Sequence, residues 1–168
     1  MTPAANPYPD PNKLSPNARR MLELREEVLS EWAERVRQTI KEAGQLPQPI
    51  LIDTFPALYD TMAEIITPGH RRKGDDESNT VSTEHGGERA RLTNYNMHSV
   101  ISEYQILKGA IFDVLKANGV QLTDREAHLI SIYIDDSIRE SVKAFNLAQT
   151  VLREKFYAAL THDLRNPL

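Results

Sequence analysis

The side chains with the clearest capacity for chemistry lie at the end of the chain, in the segment THDLRNPL (161–168). A neutral imidazole nitrogen is a nucleophile, and a carboxylate beside it, as in His162-Asp163, can accept a hydrogen bond from the other ring N–H and fix the tautomer. Asn166 follows the histidine by four residues, so on a helix its amide shares the same face and can position a water molecule. Pro167 lacks an N–H donor, which predicts a kink just below the histidine.

The sequence HDLRNPL (162–168) resembles the phosphoacceptor box of sensor histidine kinases. The resemblance covers about residues 150–168, the first part of the first helix of that family's dimerisation and phosphoacceptor domain. It implies that His162 accepts the phosphoryl group and that Asp163 is its orienting base. It further implies a phosphatase role for Asn166 and a hinge at Pro167. The plainer alternative is an exposed helical histidine followed by a proline that ends the helix.

The family's second helix and its ATP-binding domain are not among these 168 residues. The resemblance therefore implies a parent enzyme, an ATP-dependent protein histidine kinase that uses ATP and Mg²⁺ and passes the phosphoryl group to a response regulator. The chain itself is expected to be a fragment that holds no cofactor or metal and has no activity alone.

A long helix is predicted to lead to this box. Thr123 and Glu126 form a capping box, and no Gly or Pro follows until Pro167. A helix of about 40 residues is about 60 Å long. Because that exceeds the size of the domain in which it starts, its second half is expected to project.

Residues on one face of this helix are spaced by alternating steps of four and three, which predicts a parallel, two-stranded coiled coil between two copies of the chain. This predicted seam consists of Ile138, Val142, Phe145, Gln149, Leu152, Phe156, Ala159 and Asp163. The alternative is that the same face packs on the domain's own helices. Gln149 would weaken a coil locally.

The rest of the chain is predicted to be helical. Ser15-Pro16 begins a helix to about Ala43, followed by a linker over 46–49. Asp53 is expected to cap a second helix that ends at Pro68-Gly69. Another helix is predicted from Asn94 or Asn96 to about Asn118. No strand pattern is convincing, so the predicted fold class is all-α.

The polar segment 67–83 is predicted to be a mobile loop. A short helix around 83–93 is only weakly indicated, because Gly86-Gly87 lies within it.

Residues 17–146 resemble the N-terminal sensor domain of stressosome co-antagonist proteins and of some soluble histidine kinases. The resemblance rests on His85, Arg89 and Ala90 before Tyr95, and on the helix that contains EYQIL (103–107). It implies a globin-like helical bundle that binds no haem and forms dimers, with no known ligand. The predicted organisation is a flexible arm (1–14), a helical sensor domain (15–146), and a signalling helix with the start of the phosphoacceptor domain (147–168).

The composition limits which kinds of partner and which cellular location we expect for the chain. The net charge of -4 gives no basic excess for nucleic acid. No apolar run approaches the length of a membrane span, and the N-terminus lacks the pattern of a secretory signal. The absence of cysteine excludes disulfides and thiolate chemistry. We therefore expect a cytoplasmic homodimer with an unidentified signal ligand or signal protein.

Two other classes of function remain open. One is a stressosome-like scaffold or protein-interaction module without enzymatic activity. The other is a haem or gas sensor, with His85 or His98 as an iron ligand, although a surface or core histidine is the more common case.

Further candidate sites have simpler explanations. Asp135-Asp136 and the run 75–77 are candidate cation sites, but a solvated helix face and a loop explain them better. Arg89 and Arg91 have no spacing that demands an anion. Aromatic residues at helical spacing are usually core instead of a ligand pocket; these are Trp32, Tyr95, Tyr104 and Tyr133.

Overall fold

The computed structural model describes residues 11–69, 75–92 and 94–165. Within these ranges all regular secondary structure is helical, and there is no β-strand. The all-α prediction and the long C-terminal helix are thus confirmed. The α-helices are α1 (Pro16–Glu23), α2 (Arg25–Thr39), α3 (Gln48–Ile52), α4 (Phe55–Ile65), α5 (Asp75–Arg91), α6 (Met97–Ala117) and α7 (Asp124–Arg165). Short 3-10 turns occupy Pro11–Lys13 and Lys41–Gln45. The predicted arm over 1–14 falls mostly outside the described residues.

The first predicted helix is divided in two. Ser15 caps α1, accepting a hydrogen bond from the Ala18 N–H, as its sequence predicts. At Leu24 the backbone leaves the helical conformation, and α2 begins one residue later. The break lets α1 pack on α4 while α2 packs on α6. Because no Gly or Pro marks this position, tertiary packing and not local propensity produces the break.

The predicted linker over 46–49 is only partly correct, because 46 and 47 are non-helical while α3 begins at Gln48, and the expected cap at Asp53 is wrong. Residues of the linker begin the single turn α3, and Thr54, not Asp53, directly precedes α4. Asp53 instead ends α3 with a positive φ of 41°, a conformation that is uncommon for a residue with a side chain. This conformation turns the chain between α3 and α4.

Helix α5 replaces much of the predicted loop. Residues 75–83 are helical and continue without interruption to Arg91, while 70–74 lie outside the described residues. Gly86, which weakened the helix prediction, has a packing role. A Cβ at Gly86 would lie 2.0 Å from the main-chain oxygen of Ser141, so only glycine lets α5 lie this close to α7.

The last two helices begin as predicted. Asn96 caps α6 by accepting from the Ser99 N–H at 2.9 Å, and Gly119 takes a positive φ after the helix ends. The capping box of α7 is formed in both directions, by Thr123 N–H to the Glu126 carboxylate and by Glu126 N–H to the Thr123 hydroxyl. Helix α7 has 42 residues, which corresponds to about 60 Å.

One hydrophobic core joins these helices. Its centre is aromatic: the ring of Phe55 contacts Trp32 at 4.3 Å, His85 at 4.6 Å and Tyr104 at 5.4 Å between centroids. The first part of α7 belongs to this core through Ile130, Ile134 and other inward residues. From Thr150 to Arg165 every residue of α7 is exposed. The helix therefore has a packed half and a bare half.

Candidate functional site

The candidate phosphoacceptor lies on the bare half of α7. The His162 side chain is 74% exposed, and its Nδ1 lies 3.4 Å from a carboxylate oxygen of Asp163, which is 82% exposed. The pair is adjacent, as its sequence requires, but the contact is long and fully in solvent. Asn166 and Pro167 lie outside the described residues, so their predicted phosphatase and hinge roles remain predictions.

The predicted dimer seam, like α7 itself, has a buried first part and an exposed second part. Leu152 and Phe156 are 43% and 61% exposed and have no cover. Phe145, in contrast, is buried in the core, and the side-chain amide of Gln149 donates to the main-chain oxygen of Ala90 at 3.0 Å. At Phe145 and Gln149 the seam face therefore packs on the chain's own helices, which was the alternative to a coiled coil.

The most unusual cluster is buried in the bundle around the carboxylate of Glu103, which has no solvent exposure. His85 Nε2 lies 2.7 Å from one carboxylate oxygen, and since an ionised carboxylate only accepts, this nitrogen must carry the proton. Arg89 Nε donates to the same carboxylate at 3.0 Å, and the Tyr95 hydroxyl donates at 2.5 Å. We call Glu103, His85, Arg89 and Tyr95 the Glu103 cluster.

The electrostatics of the cluster favour an ionised Glu103. Burial alone would raise the pKa of this carboxyl group. The neighbouring His85, Arg89 and Tyr95 lower it by more, so its net pKa lies below the usual range of a glutamate. Burial, together with the adjacent negative charge, raises the pKa of the Tyr95 hydroxyl. The cluster is thus a buried, compensated ion pair whose hydroxyl stays neutral.

The cluster also connects several elements of the fold. The guanidinium of Arg89 reaches past Glu103 to donate to the main-chain oxygens of Ile50 and Leu51 in α3. From α2, the Trp32 indole N–H donates to the main-chain oxygen of Glu103 at 2.9 Å. The Glu103 cluster and its backbone contacts therefore link helices α2, α3, α5 and α6.

The second nitrogen of His85 is buried without a hydrogen-bond partner. It faces the carboxylate of Asp53 across 3.8 Å. This proximity lowers the pKa of Asp53. The unusual backbone of Asp53 thus places a second carboxylate beside the imidazole.

Helix α5 carries two residues of the cluster and runs parallel to α7. Ser82 accepts a hydrogen bond from the Ser141 hydroxyl through its main-chain oxygen, at 2.6 Å. Further along, Gly86 touches Ser141 and Ala90 accepts from Gln149. Higher residue numbers on α5 thus meet higher numbers on α7. The last turn of α5 lies where α7 becomes bare.

An open groove of about 690 Å³ runs beside this contact between α5 and α7. Its apolar floor comes from α7, including Leu147, which is 67% exposed, and Val151. Its rim carries charges of both signs, such as Glu88 and Lys155. The shape and the floor are those of a surface that can take an apolar side chain or a short helix.

The other candidate residues are engaged in packing or lie on the surface. His85 belongs to the Glu103 cluster and His98 is exposed, so the structure does not bring the two candidate haem ligands together in one buried site. Tyr104 shares a hydrogen bond with Ser141 at 2.7 Å. Arg91 is exposed and pairs with Glu88 on its own helix.

Neither a metal-binding group nor a membrane-spanning helix is found among the described residues. Within 11–69, 75–92 and 94–165, no three acidic or histidine side chains come close enough together to hold a metal ion. No helix in the same part of the chain combines the length and apolarity needed to cross a membrane.

The sequence analysis singled out the residues of the Glu103 cluster, but it did not predict that they contact one another. His85, Arg89, Tyr95 and Glu103 all belong to the segments that carry the second resemblance, yet their mutual contacts were not predicted. The available signal was the i, i+4 spacing of His85 and Arg89, which puts both on one helix face. This spacing applies only if the segment is helical, and Gly86-Gly87 indicated a helix there only weakly.

Comparisons of the chain with models of known protein families, with curated protein sequences and with solved structures found no match in any of the three. The class of protein is therefore defined by the fold and the site themselves. It is an all-helical bundle with a buried ionic cluster and a long helix whose exposed end carries a histidine.

Proposed function

We propose that this chain is the cytosolic sensory and dimerisation region of a two-component sensor histidine kinase. In this proposal a globin-like bundle receives the signal, and α7 relays it to the phosphoacceptor His162. The observation that carries the proposal is the form of α7, which is packed in the bundle over its first half and bare from Thr150 to His162. A helix built this way can connect a sensor to a site outside it.

The chemistry proposed for His162 is phosphoryl transfer. A neutral ring nitrogen attacks the γ-phosphorus of ATP, an N–P bond forms, and ADP leaves with the bridging oxygen. With Nδ1 turned toward Asp163, Nε2 is the nitrogen free to attack, and the Nδ1 proton is held by the carboxylate. The phosphoryl group then passes to an aspartate of a response regulator. ATP and Mg²⁺ would be bound by another domain of the parent kinase.

The exposure of His162 supports this role. A phosphoacceptor must be reached first by a nucleotide-binding domain and then by a response regulator, which requires an imidazole free of packing. The His162 side chain meets that requirement, since it is 74% exposed and its polar contact is with the neighbouring Asp163. The exposed stripe that includes Leu152 and Phe156 supports pairing with a second copy, because such side chains are normally covered.

The second candidate function is a scaffold or interaction module without enzymatic activity. The groove between α5 and α7 favours it, because a groove with exposed Leu147 on its floor is suited to a partner helix. The exposed His162-Asp163 pair has no purpose in such a module, so we rank this candidate below the kinase.

The test is phosphate incorporation from radiolabelled ATP and Mg²⁺ into the full-length protein. Wild type is expected to take up acid-labile, base-stable phosphate, and His162→Gln is expected to take up none. His98→Gln removes another exposed imidazole and should leave incorporation unchanged. Acid-labile phosphate on the His162→Gln variant, or no incorporation into wild type, would overturn the proposal.

A further inference from the structure

We propose that helix α5 is a displaceable cover over the upper part of the α7 seam, competing with a second copy of this chain for the same face. While α5 is docked, a dimer can form only along the bare part of α7. When α5 moves away, the seam extends upward to Ile138. The inference rests on the parallel dimer of the proposed function but not on phosphate chemistry at His162.

The covered and bare faces of α7 are continuous. Ser141, Phe145 and Gln149 are spaced by four residues and therefore lie on one face of the helix. The first and last of these three contact α5, at Gly86 and Ala90, and Phe145 between them is 5% exposed. The same heptad continues past the end of α5 to Leu152 and Phe156, which are uncovered. A second α7 pairing along this seam would meet α5 at Gln149.

Helix α5 has little apolar surface with which to hold its place. Of its side chains from Thr80 onward, only Val81 and Ala90 are aliphatic, and the buried ones are mainly polar. Its hydrogen bonds to other helices include those of His85 and Arg89 in the Glu103 cluster. An attachment that depends on specific polar contacts is weakened by a change at those contacts.

The replacement for α5 would be the seam of another copy. Ile138 and Val142 are half-buried on α7 and occupy seam positions. With α5 displaced, they and Phe145 would face their equivalents in a parallel pair, as a and d residues do in a coiled coil. Loss of the α5 contact would thus be offset by apolar contacts between the copies. The seam would lengthen by about two heptads.

Disulfide trapping tests this competition, because the chain has no cysteine of its own. Val142→Cys reports on the half-buried part of the seam, and Leu152→Cys reports on the exposed part. Each is combined with Gly86→Ala, whose new Cβ would collide with Ser141, or with Gly87→Ala, whose new Cβ would meet nothing within 4 Å. The two alanine variants make the same chemical change one residue apart on α5.

Under mild oxidation we expect Leu152→Cys to link two copies in both backgrounds. Val142→Cys is expected to link them several-fold more in the Gly86→Ala background than with Gly87→Ala. Equal linking of Val142→Cys in the two backgrounds would refute the cover. No linking of Leu152→Cys in either would show that the copies do not meet along this seam, and would overturn the inference as well.

Gln149→Ala provides a second variant in case Gly86→Ala does not fold. It removes the hydrogen bond to Ala90 without adding volume, and it too should increase the Val142→Cys link above that of the unmodified background. An unchanged link would contradict the proposal. Failure of phosphate incorporation at His162 would leave these results untouched, so the two proposals can fail separately.

Discussion

The side-chain amide of Gln149 donates a 3.0 Å hydrogen bond to the main-chain oxygen of Ala90, in the last turn of α5. Carbonyl groups in the last turn of a helix lack a partner within the helix, so this bond satisfies one of them. Below Gln149, α7 has no cover. Gln149, which would weaken a coiled coil, therefore forms the contact at which the packing of α5 on α7 ends.

Replacing the buried carboxylate of the Glu103 cluster should cost much of the fold's stability. In Glu103→Gln the Arg89 guanidinium remains buried without a counter-charge, which typically costs about 3–5 kcal/mol. The free energy of unfolding from urea titrations measures this loss. Glu88→Gln changes an exposed carboxylate on α5 and should stay within about 0.5 kcal/mol of wild type. Similar values for both variants would show that the cluster does not hold the bundle.

The two adjacent glycines of α5 should respond in opposite directions to alanine. Gly86→Ala forces α5 away from the main chain of Ser141, at a cost of about 1–3 kcal/mol, as for other overpacked sites. Gly87→Ala meets open space and should stabilise the helix by up to about 1 kcal/mol. Thermal unfolding of the two variants beside wild type measures both effects. A stable Gly86→Ala would mean that α5 and α7 are not in close contact.

Acid should destabilise the protein through its depressed carboxyl groups. The pKa of Asp53 is lowered by His85, and the pKa of Glu103 is lowered by its partners against the effect of burial. In the unfolded chain such groups take up protons near pH 4, above the folded-state values. The unfolded state then binds more protons, so stability is complete above about pH 4.5 and falls as the pH drops through the folded-state pKa values.

Urea midpoints measured from pH 6 down to pH 3 would show this loss. The variant Asp53→Asn is expected to have a shallower decline than wild type, and Asp135→Asn, which changes an exposed carboxylate, should follow wild type. An equal slope for Asp53→Asn would mean that the carboxylate gains nothing from the imidazole across 3.8 Å.

A charge placed on the bare seam should separate two copies without unfolding either. Phe156→Asp changes a residue that is 61% exposed, so the bundle should keep its unfolding temperature. The proposed dimer, in contrast, should dissociate because two carboxylates would face each other in an apolar seam. Sedimentation equilibrium measures the mass. Tyr157→Asp, on a neighbouring exposed face, is the matched control and should remain dimeric; dissociation of both variants, or of neither, would argue against this seam.

Several elements of the fold could be predicted from local sequence because their signals are local. Ser15, Asn96 and the pair Thr123–Glu126 cap helices with their own side chains, and each does so in the structure. The absence of Gly and Pro over α7 likewise predicted its length. These features depend on residues within one turn of each other, which is the range over which sequence patterns are reliable.

The break at Leu24 and the continuous helix α5 could not be predicted in this way. Leu24 has no helix-breaking neighbour, and its conformation follows from the different packing of α1 and α2. At Gly86 the intrinsic cost of glycine in a helix was the visible signal, while the benefit lies in the contact with Ser141, 55 residues later in the chain. A local pattern contains no information about such a contact.

By itself, the sequence determined the all-helical class, the caps, the length of α7 and the position of His162 beside Asp163 at its exposed end. Only the tertiary structure decided which part of the seam is covered, because Phe145 packs in the core of the bundle and Gln149 is bonded to the last turn of α5. It also decided that His85 and Arg89 meet Glu103. Buried ions need their partners within a few ångströms, and only the folded chain brings these distant residues that close.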